Sequence, residues 1–466
     1  MPATALHRPV TDAEPQPFGR RFVSPLLLGS ALNPINSSMI ATGLVGIGLD
    51  FHKGPGTTAS LISVLYLCSA VAQPTMGKLA TVFGARRVFV GGLLVLVLAG
   101  LIGATAPAFG FLLLSRALIG IGTSAAYPTA MALVRRRADR TGGGVPSRVL
   151  GNFSIAAQVT VVVGLPLGGV LAGSFGWRAL FLVNVPLALL ALVLTLTGVP
   201  RDSPAEAPGR EPLAVLVDLP GVLLFAGTVT SLLLFLSRLT RPVWWQFGLF
   251  TLLATALAVW ERRAARPLVD VRMLGRNLPL LRTYLRQTVV ALGTYTALYG
   301  TSQWMEQAAH YSASQVGLIM LPLSGSSIVL ARLVSNRGVI RGPLVLTGLC
   351  LLLTGAVLLR ITHGSPVLVL IGMSLLFGLA NGFSGFANQA ALYVQAPAAE
   401  VAVASGLYRT FAYVGAIFSA SLIGLAFGGR AGDAGLHTIG WVTIGIGLIS
   451  LLLTVLDRRI PARADD

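Results

Sequence analysis

Fourteen apolar runs, the first at 24–49 and the last at 436–456, follow one another along this 466-residue chain with short connections between most of them. A run of about 20 apolar residues, coiled as a helix, spans the hydrocarbon core of a bilayer. Few folds are open to such a chain, because in lipid the backbone must satisfy its own polar groups. Hydrophobic residues make up 54% and charged residues 11%, too apolar a balance for a soluble protein of this length. The expected fold class is an all-α membrane protein with 14 transmembrane helices.

Charge then orients the helices. The net charge of +18 would suggest nucleic acid in a soluble chain, yet the arginines lie in the connections between apolar runs rather than along one face. With the N-terminus placed in the cytoplasm, most of the 34 Lys and Arg residues fall in cytoplasmic segments, as a positive-inside topology requires. Both termini are thus expected in the cytoplasm, and no nucleic acid is expected as a partner. Residues 1–21 are polar and contain prolines, lack the apolar centre of a signal peptide, and read as a cytoplasmic tail. Cys68 and Cys350 lie far apart inside apolar runs, and the five histidines are scattered. Neither metal-ligand nor catalytic spacing emerges, so no metal, no cofactor and no enzymatic activity are expected.

The second connection carries Gly77-Lys78-Leu79-Ala80-Thr81-Val82-Phe83-Gly84-Ala85-Arg86-Arg87, and a weaker copy recurs from Ala331 to Arg341 with Gly338 in the place of Gly84. Gly77 and Gly84 allow a tight turn and a close approach of backbones. Two halves with one plan follow. The loop resembles the cytoplasmic motif of the major facilitator superfamily, Gly-x-Leu-Ala-Asp-Arg-x-Gly-Arg-Arg, with Thr81 where the family has Asp. The family's Asp helps latch two helix bundles together on the cytoplasmic side. Further along, Gly164-Leu165-Pro166-Leu167-Gly168-Gly169 resembles the antiporter motif of exporters with its proline displaced by one place. The glycines also suit plain helix packing. Trp177-Arg178 followed by Phe181, Asn184 and Pro186, and then Asp218-Leu219-Pro220-Gly221, are similar to the fourteen-helix drug:proton antiporter branch.

That resemblance implies the major facilitator fold: two six-helix bundles plus two inserted helices. The boundaries read as an N-terminal bundle over 22–198, a linker with the inserted pair over 199–278, a C-terminal bundle over 279–457 and a tail over 458–466. It implies a bacterial inner-membrane exporter of hydrophobic or amphipathic, drug-like molecules, working by alternating access as a monomer within the lipid bilayer, with the proton as coupling ion. A lipid translocator and a solute uptake carrier use the same fold and stay open. The small-molecule substrate is not named by the motifs.

Polar positions inside the apolar runs supply the candidate site. Asn33 stands where relatives carry an acid, and Asn36 follows it around Pro34. Arg116 sits in the fourth run with Gly120 and Gly122, resembling another family motif that serves proton transfer or substrate binding; a lock onto backbone carbonyls is the alternative. The ninth run holds Tyr295, Tyr299, Gln303, Trp304 and Glu306, the twelfth Asn381 and Asn388, and the thirteenth Arg409 and Tyr413. Polar groups at this density face a cavity rather than lipid. Arg409 reads either as a cavity residue attracting anionic or electron-rich groups or as an inter-helix brace. Glu306 is the one carboxylate within a span away from its extreme end; partial burial against Trp304 and Met305 would suit it to proton coupling, and a solvated helix-end charge is the alternative.

Overall fold

The structure, a computed structural model, describes residues 18–463 except 54, 143, 203–212, 237, 238, 240, 241, 312, 429, 430 and 458. Most of the expected N-terminal tail and the centre of the Pro-rich linker lie outside these residues. Each apolar run is helical. We number the passes α1 (Arg20–Met39, continued by a 3₁₀ turn Ile40–Gly43 and Leu44–Asp50), α2 (Pro55–Phe83), α3 (Ala85–Ala104), α4 (Phe109–Arg140), α5 (Ser147–Phe175), α6 (Ala179–Gly198) and α7 (Leu219–Leu236). Then follow α8 (Trp244–Glu261), α9 (Leu278–Gln307), α10 (Ala313–Arg337), α11 (Arg341–Leu358), α12 (Val367–Gln395), α13 (Val401–Phe427) and α14 (Asp433–Val455). Among the described residues, ten helices are long and apolar enough to cross a membrane. The other four helices are α1, α5, α8 and α9, and two of these, α1 and α9, carry clusters of polar residues.

Helix pairing repeats with an offset of eight. In the first half α1 packs on α5, α2 on α4, and α3 on α4 and α6; in the second half α9 packs on α13, α10 on α12, and α11 on α12 and α14. The halves meet by the same rule, α2 against α13 and α10 against α5. The inserted α7 and α8 pack on each other, and α7 also touches α2 and α13. The repeated loop shares its backbone too: Gly84 (φ 95°) and Gly338 (φ 61°) both occupy the left-handed region that favours glycine.

Local sequence explains the irregular first helix. Pro34 cannot donate to the Ser30 carbonyl within the helix, and one turn on Ser37 Oγ and Ser38 Oγ donate to the carbonyls of Asn33 (3.0 Å) and Pro34 (3.1 Å), a back-bonding that bends helices. The helix loosens into the 3₁₀ turn a few residues later. Gly164 and Gly168 of α5 lie where this helix comes closest: a β-carbon at Gly168 would stand 2.7 Å from the Met39 carbonyl, and one at Gly164 would meet Ser38. Gly169 is exposed, and the side chain of Pro166 lies outside the described residues. Gly164 and Gly168 therefore serve close packing of α1 on α5.

Candidate functional site

The two halves are sealed at the arginine-rich end of the bundle. A β-carbon on Gly77 would lie 2.6 Å from the Ala402 carbonyl, and one on Gly406 would lie 2.5 Å from the Gln73 carbonyl, so α2 and α13 touch backbone to backbone. Thr410 Oγ1 donates to the Ala70 carbonyl at 2.6 Å, and Arg332 donates to Asn152 at 3.1 Å. Arg135 lies over the Tyr393 ring at 5.6 Å.

Thr81 takes no part in this seal. It is exposed, and its hydroxyl donates to the Lys78 carbonyl within its own helix at 2.7 Å. The neighbouring Lys78 does the reaching instead, donating to the carbonyls of Arg266 (3.1 Å) and Pro267 (2.7 Å) in the segment that joins the inserted helices to the second half. That segment is pinned in turn. Buried Asp218 accepts from Leu268 N (2.9 Å) and Trp260 Nε1 (2.8 Å), and buried Glu261 accepts from Val269 N (3.3 Å). The carboxylate missing at position 81 has a counterpart from elsewhere in the chain: Asp202 accepts from the backbone N–H of Arg86 (3.2 Å) and of Arg87 (3.0 Å), at the start of α3 beside Gly84. A helix N-terminus favours such a charge. Nothing in the spacing of the sequence placed Asp202 there, because linker and loop are over 100 residues apart.

Above the seal, the centre of the first half is densely hydrogen-bonded, although Ser30 Oγ and Arg116 Nη2 are buried without a partner. Asn33 donates to Ser69 Oγ (3.0 Å) and Thr123 Oγ1 (2.8 Å), while its carbonyl oxygen accepts from Tyr413 OH (2.9 Å) of the second half. Gln73 donates to the same Tyr413 hydroxyl at 3.2 Å. Asn36 donates to Asn184 (2.6 Å) and to the Leu32 carbonyl (2.8 Å). Arg116, 1% exposed, donates from Nε to the Leu61 carbonyl (2.9 Å) and from Nη1 to the Asn36 carbonyl (3.3 Å). A guanidinium within a span costs about 2.5–3.5 kcal/mol on insertion scales, and charged hydrogen bonds of about 1.5–3 kcal/mol each offset that. The carbonyls belong to α1 and α2, which this residue of α4 ties together.

The second half divides its polar residues by helical phase. On α9, Tyr295, Tyr299 and Gln303 recur every four residues on one face; Tyr295 and Tyr299 stack at 5.6 Å, and Tyr299 keeps 51% of its surface exposed. Trp304 lies on the opposite face, fully buried, and its indole donates to Asp433 at 2.9 Å. It fixes α9 to α14 and is not a cavity residue. Glu306 is exposed at the far end of α9, whereas Met305 and Trp304 point into the core, so the expected burial of this carboxylate against them is absent. Asn388 is also structural: it accepts from Arg286 Nε (2.6 Å) and donates to Gln287 (3.1 Å) of α9, with Asn388 and Arg286 both fully buried. Asn381 is half-buried two turns away.

What the tertiary structure gathers at the middle is an aromatic set. Tyr66, which the sequence reading overlooked, meets Tyr413 across the two halves with ring centroids 5.6 Å apart and lies within electrostatic reach of Tyr295 and Tyr299. Arg409, half-buried, holds its guanidinium 4.2 Å over the Tyr127 ring of the first half. Only the helical phase of α2 could have flagged Tyr66, and its meaning depends on which face of α2 meets the second half.

The sequence pattern of the Major Facilitator Superfamily matches residues 26–420. The chain belongs to this superfamily. Among its relatives, the uncharacterized MFS-type transporter YwoD of Bacillus subtilis is 33% identical over 93% of this chain and 96% of its own length. The tetracenomycin C resistance and export protein of Streptomyces glaucescens is 28% identical over 93% of this chain and 80% of its own. The solved structure of the proton:xylose symporter XylE shares the fold, with a TM-score of 0.65 at 13% identity over 96% of this chain and 97% of that one. This superfamily member is a multi-pass membrane transporter.

Proposed function

We propose that this transporter exports hydrophobic or amphipathic small molecules from the bacterial cytoplasm by alternating access, with a proton moving inward in exchange. The observation that carries the reading is the seal: α2 and α13 touch backbone to backbone at the arginine-rich end, which positive-inside topology assigns to the cytoplasm. A transporter closed there presents its centre away from the cytoplasm, and opening requires the two halves to rock about the aromatic middle. Relatives named for resistance and export, among them the tetracenomycin C protein, support the outward direction. Glu306, exposed at the far end of α9 without the burial the sequence suggested, is the carboxylate to which this proposal assigns proton uptake from outside.

The test is reconstitution of the purified chain in vesicles with an imposed proton gradient. Gradient-dependent movement of a dye is expected, and Glu306→Gln is expected to fold normally and to lose the pH-driven component. Uphill movement by Glu306→Gln at the wild-type rate and pH dependence would remove Glu306 from coupling. Dye movement indifferent to the gradient in the wild-type protein would remove the proton altogether.

A further inference from the structure

We infer that Arg409 is the anion-selecting residue of the transport site and that the substrates are aromatic amphiphiles bearing a negative charge. The inference deepens the export reading and rests on it only for the direction of movement.

The geometry of Arg409 is that of a receptor with one face occupied. The Tyr127 ring covers the flat face of the guanidinium at 4.2 Å. All five donors of a guanidinium lie in its plane, so a stacked arginine keeps its edge for a bidentate carboxylate, sulfonate or phosphate. Its Nε is buried without a hydrogen-bond partner, and the side chain as a whole is only half-buried. A guanidinium edge left in that state within a membrane-spanning bundle calls for a ligand.

No counter-charge competes for it. Among the described residues, the carboxylates lie at helix ends or in connections: Asp50, Glu306 and Asp433 at the far end, the rest at the arginine-rich end. The nearest in sequence, Glu400, precedes α13 by one residue and lies more than two turns from Arg409. The side chains within electrostatic reach of Arg409 include Tyr295, Tyr408 and Tyr413, none of which carries a negative charge at neutral pH. Arg116 adds a second positive charge in the other half, 1% exposed, with Nε and Nη1 turned to backbone carbonyls. A cationic drug entering this space meets the like charge of Arg409 and no acid among the described residues. An anion meets a free edge, and the rings of Tyr66, Tyr295, Tyr299 and Tyr413 supply surfaces for an aromatic body.

The same chemistry accounts for the uncharged Asn33. An inside-negative potential drives an anion outward and opposes the exit of a cation, so an anion carrier has no use for a negative charge at this place.

The test uses the full chain in lipid nanodiscs with two fluorescent probes, carboxyfluorescein as the anion and ethidium as the cation, read by anisotropy. Wild-type protein is expected to bind carboxyfluorescein at least about tenfold more tightly than ethidium. Arg409→Gln is expected to lose about tenfold or more for carboxyfluorescein and to bind ethidium at least as tightly as the wild-type protein does. Tyr127→Leu, which removes the ring but leaves the donors, is expected to stay within about threefold of wild type, an outcome an inter-helix brace would not give. Equal affinity for the two probes, or a parallel loss of both in Arg409→Gln, overturns the inference. Should Arg409→Gln fail to fold, displacement on the wild-type chain decides: benzoate but not benzylamine displacing carboxyfluorescein supports it, and the reverse overturns it. In vesicles, a valinomycin-imposed potential should drive carboxyfluorescein in the direction of export. Anion-selective binding without any such movement sinks the export reading and leaves the anion site standing.

Discussion

Arg116 on α4 and Arg409 on α13 are both guanidinium groups within apolar helices, and their surroundings treat them oppositely. Arg116 is 1% exposed and donates to two helix carbonyls in a centre where Asn33, Asn36, Ser69, Thr123 and Asn184 are bonded to one another or to backbone. Arg409 has a ring over one face and an edge without a hydrogen bond, among half-exposed tyrosines. The first arrangement offsets part of the cost of a buried charge with two hydrogen bonds, leaving only Nη2 without a partner; the second makes no hydrogen bond among the described residues and leaves that cost to be met when something binds. Two arginines of the same chemical kind thus have different work, one holding three helices together and one recognising a ligand.

Three substitutions break or sharpen this contrast. The largest effect on stability is expected from Arg116→Ala, about 3–5 kcal/mol, because a large, fully buried side chain and its charged hydrogen bonds disappear together. Thermal unfolding of the purified protein measures it. Arg409→Gln should cost far less, and equal losses in the two variants would erase the distinction. Gly406→Val comes next, at about 1–3 kcal/mol against the sealed state, since its β-carbon would fall 2.5 Å from the Gln73 carbonyl. Spin labels at Thr141 and Asn336 should move apart as the arginine-rich end opens; unchanged distances would mean that the seal lies elsewhere. The smallest effect belongs to Asn33→Asp, about 0.5–1.5 kcal/mol, because Ser69 and Thr123 hydroxyls can turn to donate to a carboxylate. It places an acid in the densely hydrogen-bonded half, and tighter binding of ethidium is the outcome expected by anisotropy.

Much of the fold was legible because a bilayer leaves few choices. Apolar runs of helical length, separated by arginines, dictate helices, and the recurrence of the Gly77–Arg87 pattern at 331–341 announced two halves that the helix pairing displays. The site was legible only in part. The reading grouped Trp304 with Tyr299 and Gln303 because all three are polar or aromatic within one run, but a turn of 100° per residue sends Trp304 to the far face. It treated Asn388 as a cavity group, although Arg286 one helix away takes its oxygen.

The sequence alone determined the membrane class, the helical runs and the superfamily, since hydrophobic length and glycine-bearing loops are local properties that survive without any knowledge of neighbours. Tertiary structure decided which polar side chains are spent and which remain available. Asp202 at the start of α3, Lys78 on the carbonyls of Arg266 and Pro267, and Tyr66 against Tyr413 are pairings between residues more than 110 positions apart in the sequence. A hydrogen bond acts over about 3 Å and is indifferent to distance along the chain, so only packing can say whether a buried donor already has its acceptor.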